Sequence, residues 1–147
     1  MTMTSTMIKE LKTDGEIESS FNIMKQLRTH LNLQSYVKLV AAARKENQYR
    51  IFALYKKEEM LALVGFMPMI TLYYGEYIWV CDLVTDDNNR SNGYGNVLLS
   101  YVHQWAKENH YHTVALSSGL ARTDAHRFYE EKMGYDKVSF VFKKDME

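Results

Sequence analysis

A chain of 147 residues has the size of one domain and is long enough to bury a sizeable core, which the apolar fraction of 46% supports. Its 18 basic and 18 acidic residues cancel, and no basic run stands out. That excludes the electrostatic footprint of a nucleic-acid binder and the polybasic segment of a membrane-surface protein.

Residues 1–13 read as a short leading strand with Met7, Ile8 and Leu11 as its apolar content. Asp14 then precedes a helical pattern in which Ile17, Phe21, Met24, Leu27 and Leu31 recur at steps of three and four. A second helix follows Gln34 and Ser35, with Tyr36, Val37, Val40 and Ala41 on its apolar side. Tyr49 to Lys56 is a strand, Lys57 to Glu59 a polar turn, and Met60 to Met69 a strand that contains Gly65 and Pro68. A proline cannot donate to a ladder, so a bulge or an edge position is expected there. Gly75 and Glu76 turn the chain into a further strand, Tyr77 to Thr85, rich in aromatic and β-branched residues. Alternation puts Ile78, Val80, Asp82 and Val84 on one side and Trp79, Cys81, Leu83 and Thr85 on the other. Cys81 is the only cysteine, so an internal disulfide is impossible, and its plain reading is a small buried hydrophobe.

Asp86 to Asn92 is an abrupt polar loop. A helix starts near Gly93 and runs to about Asn109, with Val97, Leu98, Tyr101, Val102 and Trp105 spaced for one face. A short strand, Thr113 to Ser117, a loop through Ser118, Gly119, Leu120, Ala121 and Arg122, and a helix from an N-cap at Thr123 to Met133 follow. Asp124 suits that helix's first turn and Gly134 its stop. Tyr135 to Lys144 reads as the last strand. No apolar run has the length of a membrane span and no signal peptide is visible, so a cytoplasmic protein is the default.

The chemistry concentrates at the mouth of the helix after Asn92, in Arg90-Ser91-Asn92-Gly93-Tyr94-Gly95-Asn96. Glycines there let the backbone approach a ligand and adopt positive φ. The unpaired first N–H groups and the helix dipole favour an anion such as phosphate, and Arg90 adds a permanent charge with forked donors.

This stretch resembles the signature of the GNAT N-acetyltransferases, R/Q-x-x-G-x-G/A after a strand, here Leu83, Val84 and Thr85 followed by Arg90, Gly93 and Gly95. A second match lies in Ala125-His126-Arg127-Phe128-Tyr129-Glu130, closed by Gly134 and Tyr135, which looks like the family's A-x-x-F-Y-E-x-x-G-F/Y helix. The order of strands and helices is also that of the family, so the resemblance covers nearly the whole chain. It implies a single N-acetyltransferase domain over residues 1–147 with the α/β (α+β) GNAT fold. That fold is a mixed central sheet with an antiparallel N-terminal part, a splayed pair of parallel strands and helices on both faces. It implies acetyl-coenzyme A (acetyl-CoA) as cosubstrate, with its pyrophosphate on Arg90, Ser91, Asn92, Gly93, Tyr94, Gly95 and Asn96. The pantetheine arm would lie along the freed backbone of Leu83, Val84 and Thr85, where an N–H polarises the thioester carbonyl. The first two helices and their connection would cover the acceptor.

Two residues are the catalytic candidates. Tyr129 is the residue the family often places beside the thioester sulfur, and a phenol keeps its proton at neutral pH and can donate it to a leaving thiolate. Asp82 is a carboxylate in an otherwise apolar strand, which is costly unless paired or functional. It is placed to hold an ammonium or to relay its proton through water; the plainer reading is an aspartate bound to backbone or to an arginine. Glu76 is a weaker candidate. The five histidines, His30, His103, His110, His112 and His126, include no H-E-x-x-H pair, so no metal is expected. Neither a P-loop nor a dinucleotide fingerprint occurs, which leaves nucleotide hydrolysis and hydride transfer unsupported.

The reading is an acetyltransferase that moves an acetyl group to a primary amine of a small molecule by direct attack in a ternary complex. The stretch from Ser117 to Tyr129 and the segment Ser139 to Lys143 look most like family members that act on small amines, including aminoalkylphosphonate acetyltransferases. Two alternatives stay open: a protein lysine or N-terminal acetyltransferase, and a non-catalytic coenzyme A-binding module. Homodimers are common in the family, and neither a nucleic-acid nor a membrane partner is expected.

Overall fold

The computed structural model describes residues 5–119 and 122–146. In chain order the elements are β1 (Thr6–Glu10), α1 (Asp14–Leu27), α2 (Leu33–Asn47), β2 (Arg50–Lys56), β3 (Glu59–Thr71) and β4 (Gly75–Thr85). A 3₁₀ turn (Asp87–Asn89), α3 (Tyr94–Glu108), β5 (Val114–Leu116), α4 (Thr123–Arg127) and a wider π turn (Phe128–Lys132) follow. The chain divides into two compact units, Met1–Ala115 and Leu116–Glu147. The strands form one sheet in the order β1-β2-β3-β4-β5. The first four pair antiparallel in sequence, and β5, reached from β4 through α3, makes the sheet mixed.

Alternation along β2 and β3 builds the core of the first unit on both faces of the sheet. Ile51, Ala53 and Leu63 face α1 and α2, where they meet Leu11, Ile17, Ile23, Met24, Tyr36, Val40, Tyr49 and Val84. Their neighbours Phe52 and Phe66 point the other way and stack on each other at 5.6 Å. There they meet Tyr101 and Trp105 of α3, at 5.1 and 4.9 Å. Burying side chains of this size stabilises by about 1.5–3 kcal/mol each. Capping boxes open the first two helices, Thr13 with Glu16 for α1 and Asn32 with Ser35 for α2. The buried Ser20 hydroxyl donates to the Ile17 carbonyl and accepts from the Tyr36 hydroxyl, both at 2.6 Å, and so ties α1 to α2.

Several expectations need correction. On α2, Ala41 is exposed, and on α3 Val97 is 41% exposed; the buried stripe of α3 is Leu98, Leu99, Val102 and Ala106. Thr123 is the first residue of α4, not its cap; Arg122 occupies the N-cap without a side-chain bond. Leu120 and Ala121, expected in the loop before it, lie outside the described residues, as do residues 1–4. Gly134 ends the last helical turn at φ +72°, as expected of a left-handed stop. The last expected strand, Tyr135 to Lys144, is not one: residues 136–146 carry no strand, and Val138, Phe140, Val141 and Phe142 are exposed. Strand propensity has no effect without a partner ladder, and apart from Leu116 the second unit holds no described strand residue to supply one.

Pro68 pairs with Ile78, but β2 reaches only to Phe66, so this end of β3 is bonded on one side alone. A proline is tolerated at such a local edge. The irregularity lies next to it. Gly65 pairs with Asp82 and Phe66 with Val80, leaving Cys81 as an extra residue in β4. This bulge reverses the alternation. Asp82 and Val84 keep the face of α1 and α2, whereas Val80, paired with Phe66, takes the face of α3. The expected single row of Ile78, Val80, Asp82 and Val84 is therefore broken at Cys81.

Candidate active site

The bulge gives Asp82 its surroundings. Arg28, the C-cap of α1, reaches across the sheet face: its Nε donates to Asp82 Oδ1 at 2.9 Å and its Nη2 to the Cys81 carbonyl at 2.7 Å. Tyr49, just before β2, donates its hydroxyl to Asp82 Oδ2 at 2.7 Å. Both carboxylate oxygens are thus held, one by a cation and one by a neutral phenol. The Asp82 side chain is 15% exposed and that of Arg28 40%. Burial first, and the Asp82 charge second, push the Tyr49 hydroxyl well above the usual phenol range, so it remains a donor. Burial pushes the Cys81 thiol up to about 12, with Asp82 raising it further and Arg28 opposing.

Gly65 is the seat of this arrangement. A Cβ at that position would overlap the Tyr49 hydroxyl, so glycine is required there for close approach rather than for its backbone angles.

The glycine-rich loop follows the far end of β4. Asp86 N–H donates to the Leu61 carbonyl at 2.9 Å. Gln26 of α1 clamps the loop from the side: its Nε2 donates to Asp86 Oδ1 and its Oε1 accepts from Asp87 N–H, each at 2.8 Å. Asn89 closes the turn by donating to Asp86 Oδ2 at 2.9 Å, and Asn92 donates to the Asn89 carbonyl at 3.0 Å. Ser91 and Gly93 both have positive φ, +68° and +80°. Gly93 is the N-cap of α3 and supplies no side-chain bond, in contrast to the caps of α1 and α2. The first N–H groups of α3 are therefore left to a partner from outside the helix. Arg90 is exposed and pairs with Asp87 at 2.7 Å. At the other end of β4, Ile78 N–H donates to the Thr113 carbonyl at 3.0 Å. Lys56, Lys57, Glu59, Leu61, Asn89, Asn92 and Tyr94 line an open, polar cavity of about 470 Å³ beside the loop.

Tyr129 lies in the second unit, on the π turn, and is 9% exposed. Its ring sits 5.3 Å from Phe128 and 5.9 Å from Tyr135, and its carbonyl accepts from Tyr135 N–H at 2.9 Å. Burial raises its hydroxyl above the usual phenol range, opposed by Arg122. His126 bonds the Gly119 carbonyl through Nε2 at 2.8 Å, a loop-closing role. Glu76 is exposed at the start of β4. Among the described residues no three His, Cys, Asp or Glu side chains converge as a metal set, and no helix is long and apolar enough to cross a membrane.

Sequence reading missed Tyr49 and Gln26; it allowed Asp82 an arginine partner without naming Arg28 as that partner, and it marked Gly65 without tying it to Asp82. Arg28 lies 54 residues from Asp82 and Tyr49 lies 33 away, so no local spacing connects them. The available signals were a carboxylate needing partners and a glycine inside a strand.

The chain belongs to the GNAT acetyltransferases: the model of the acetyltransferase (GNAT) family matches residues 17–135. It is 42% identical over 137 residues, 93% of this chain and 96% of the relative, to a Bacillus subtilis (strain 168) protein named as uncharacterized N-acetyltransferase YhdJ. Among solved structures it resembles a Bacillus halodurans C-125 protein described as a transcriptional regulator. The TM-score is 0.84 at 22% identity, covering 97% of this chain and 100% of that one. It also resembles the aminoglycoside N-acetyltransferase AAC(6')-Iy in complex with CoA, with a TM-score of 0.85 at 10% identity over 99% and 97% of the two chains. At these identities the two structures speak for the fold alone.

Proposed function

We propose that this protein transfers an acetyl group from acetyl-CoA to a primary amine of a small molecule. The observation that carries the reading is the start of α3: a positive-φ glycine, no side-chain cap, and an exposed arginine three residues earlier. Such an end suits a pyrophosphate, with Arg90, Ser91, Asn92, Gly93, Tyr94, Gly95 and Asn96 around it. Leu83, Val84 and Thr85 lie beyond the Ile78 bond to Thr113 and take the pantetheine arm through their backbone. Acetyl-CoA supplies an activated thioester.

Asp82 attracts the acceptor as its ammonium. Once the nitrogen has lost a proton to solvent, its lone pair attacks the carbonyl carbon. The new C–N bond forms, the C–S bond breaks, and Tyr129 gives its proton to the departing thiolate; the amide nitrogen sheds its second proton to solvent, from which the Tyr129 hydroxyl is restored. Asp82 has both oxygens already bonded, which favours holding the ammonium over acting as the base itself. The reaction asks for no nucleic acid, membrane or metal, and suits a cytoplasmic enzyme.

The test is release of free thiol from acetyl-CoA with a panel of amines, amino acids, polyamines and peptides. A small amine should be acetylated, and Asp82→Asn should lower turnover at neutral pH while calorimetry finds acetyl-CoA binding near wild type. Turnover confined to peptides, or binding without turnover across the panel, rejects the small-amine reading.

A further inference from the structure

Arg28 creates a problem for a simple amine. An ammonium drawn to Asp82 comes up against a guanidinium already bonded to the same carboxylate at 2.9 Å. An acceptor with only positive charge gains from Asp82 and loses to Arg28. An acceptor with an anion near its nitrogen gains from both. We propose that the acceptor is an amine bearing its own anionic group, a carboxylate or phosphate-like oxyanion a few bonds from the nitrogen, with Arg28 as the residue that selects it. This rests on the acetyl-transfer reading of the same site.

The hydrogen bonds leave capacity at both ends. Two of the roughly four lone-pair positions of Asp82 are taken, one by Arg28 and one by Tyr49. Arg28 uses Nε and Nη2, while Nη1 has no hydrogen bond among the described residues. Its side chain is the more open of the pair, 40% exposed against 15%. A planar fork with a free arm suits an oxyanion better than a lysine would. Arg28 also opens the connection from α1 to α2, followed by exposed Thr29 and His30. Tyr49 and Gly65 fix the negative end from behind, so the positive and negative ends stand a hydrogen bond apart.

The experiment compares matched acceptors, β-alanine and aminoethylphosphonate against aminopropanol and spermidine, on wild type, Arg28→Gln and Arg28→Lys. Wild type should favour the anionic acceptors by roughly tenfold or more in kcat/KM, as expected for a charge-assisted pair. Arg28→Gln should erase the preference, chiefly through KM, Arg28→Lys should restore part of it, and acetyl-CoA affinity should stay unchanged in both. Comparing the two anionic acceptors tells a carboxylate from a phosphonate. Equal use of neutral and anionic acceptors by wild type, preference for spermidine, or an equal loss on all acceptors in a folded Arg28→Gln overturns the proposal. A binding arm keeps the two readings apart: calorimetry of β-alanine and aminopropanol in the presence of coenzyme A. If nothing is acetylated yet β-alanine binds wild type and not Arg28→Gln, the transfer reading fails and this one stands. If neither binds selectively, this one falls.

Discussion

A tyrosine and a glycine define what single residues contribute here. Tyr129 is buried, and burial holds its proton more tightly than in water. It therefore stays protonated from pH 6 to 9 and is able to act as an acid throughout that range. Tyr129→Phe keeps the ring between Phe128 and Tyr135 and removes only the hydroxyl. Single-turnover chemistry should fall by about 10²–10⁴-fold with acetyl-CoA binding retained, the usual contribution of general acid catalysis. A rate equal to wild type across that pH range would remove Tyr129 from the mechanism. Gly65 acts at a distance from the chemistry. Gly65→Ala puts a methyl group where the Tyr49 hydroxyl lies, in a fully packed core. Overpacking of this kind costs about 1–3 kcal/mol, which urea unfolding would measure. Because Tyr49 holds Asp82, turnover should fall as well; stability and activity both at wild-type level would mean that Tyr49 is free to step aside.

At the scale of elements, the helices were legible because each carries its own signals. Ile17 and Met24 mark the buried side of α1, and Leu98 and Val102 that of α3. What local pattern could not give was the bulge at Cys81, because an extra residue in a ladder is visible only against its partner strand. The last strand failed for the same reason in reverse, since a β-rich segment says nothing about whether a partner is present. The start of α1 makes a further prediction. Glu16 is held by Lys9 at 2.7 Å first, then by the N–H groups of Thr13 and Lys12, and its carboxyl is lowered to about 2. A folded value below the unfolded one, near 4.5, means stability that is fully present above that value and lost as pH falls toward 2. The stability difference between wild type and Glu16→Gln should thus be constant near neutrality and shrink between about pH 4.5 and 2. Salt should weaken it, because the pair is exposed. A difference independent of pH over that window would assign Glu16 a capping role without charge.

On the scale of the whole molecule, fold and site differ in how far sequence reaches. The fold follows from element order and two motifs, which is why a chain 10% identical to AAC(6')-Iy adopts a closely similar one. The Asp82 cluster draws on α1, the residue before β2, β3 and β4, and exists only once the first unit has assembled. Cys81 is a reporter for that assembly, because it is the sole cysteine and packs against the core shared by α1, α2 and the sheet. With its thiol raised to about 12 by burial, only roughly one molecule in 10⁴ carries the thiolate at pH 8. Since the thiolate is the reacting form, native protein should react with a disulfide reagent at least ~10²-fold more slowly than the unfolded chain. Cys81 is partly buried against the core under α1 and α2, between the paired residues Val80 and Asp82 of β4, so full access to its thiol should require opening the first unit as a whole. Labelling rates measured in rising urea should then climb with the same denaturant dependence as unfolding followed by tryptophan fluorescence. Fast labelling in the absence of urea, or a rate that ignores urea, would mean that α1 lifts from the sheet by itself and that Arg28 leaves Asp82 without the rest of the unit unfolding.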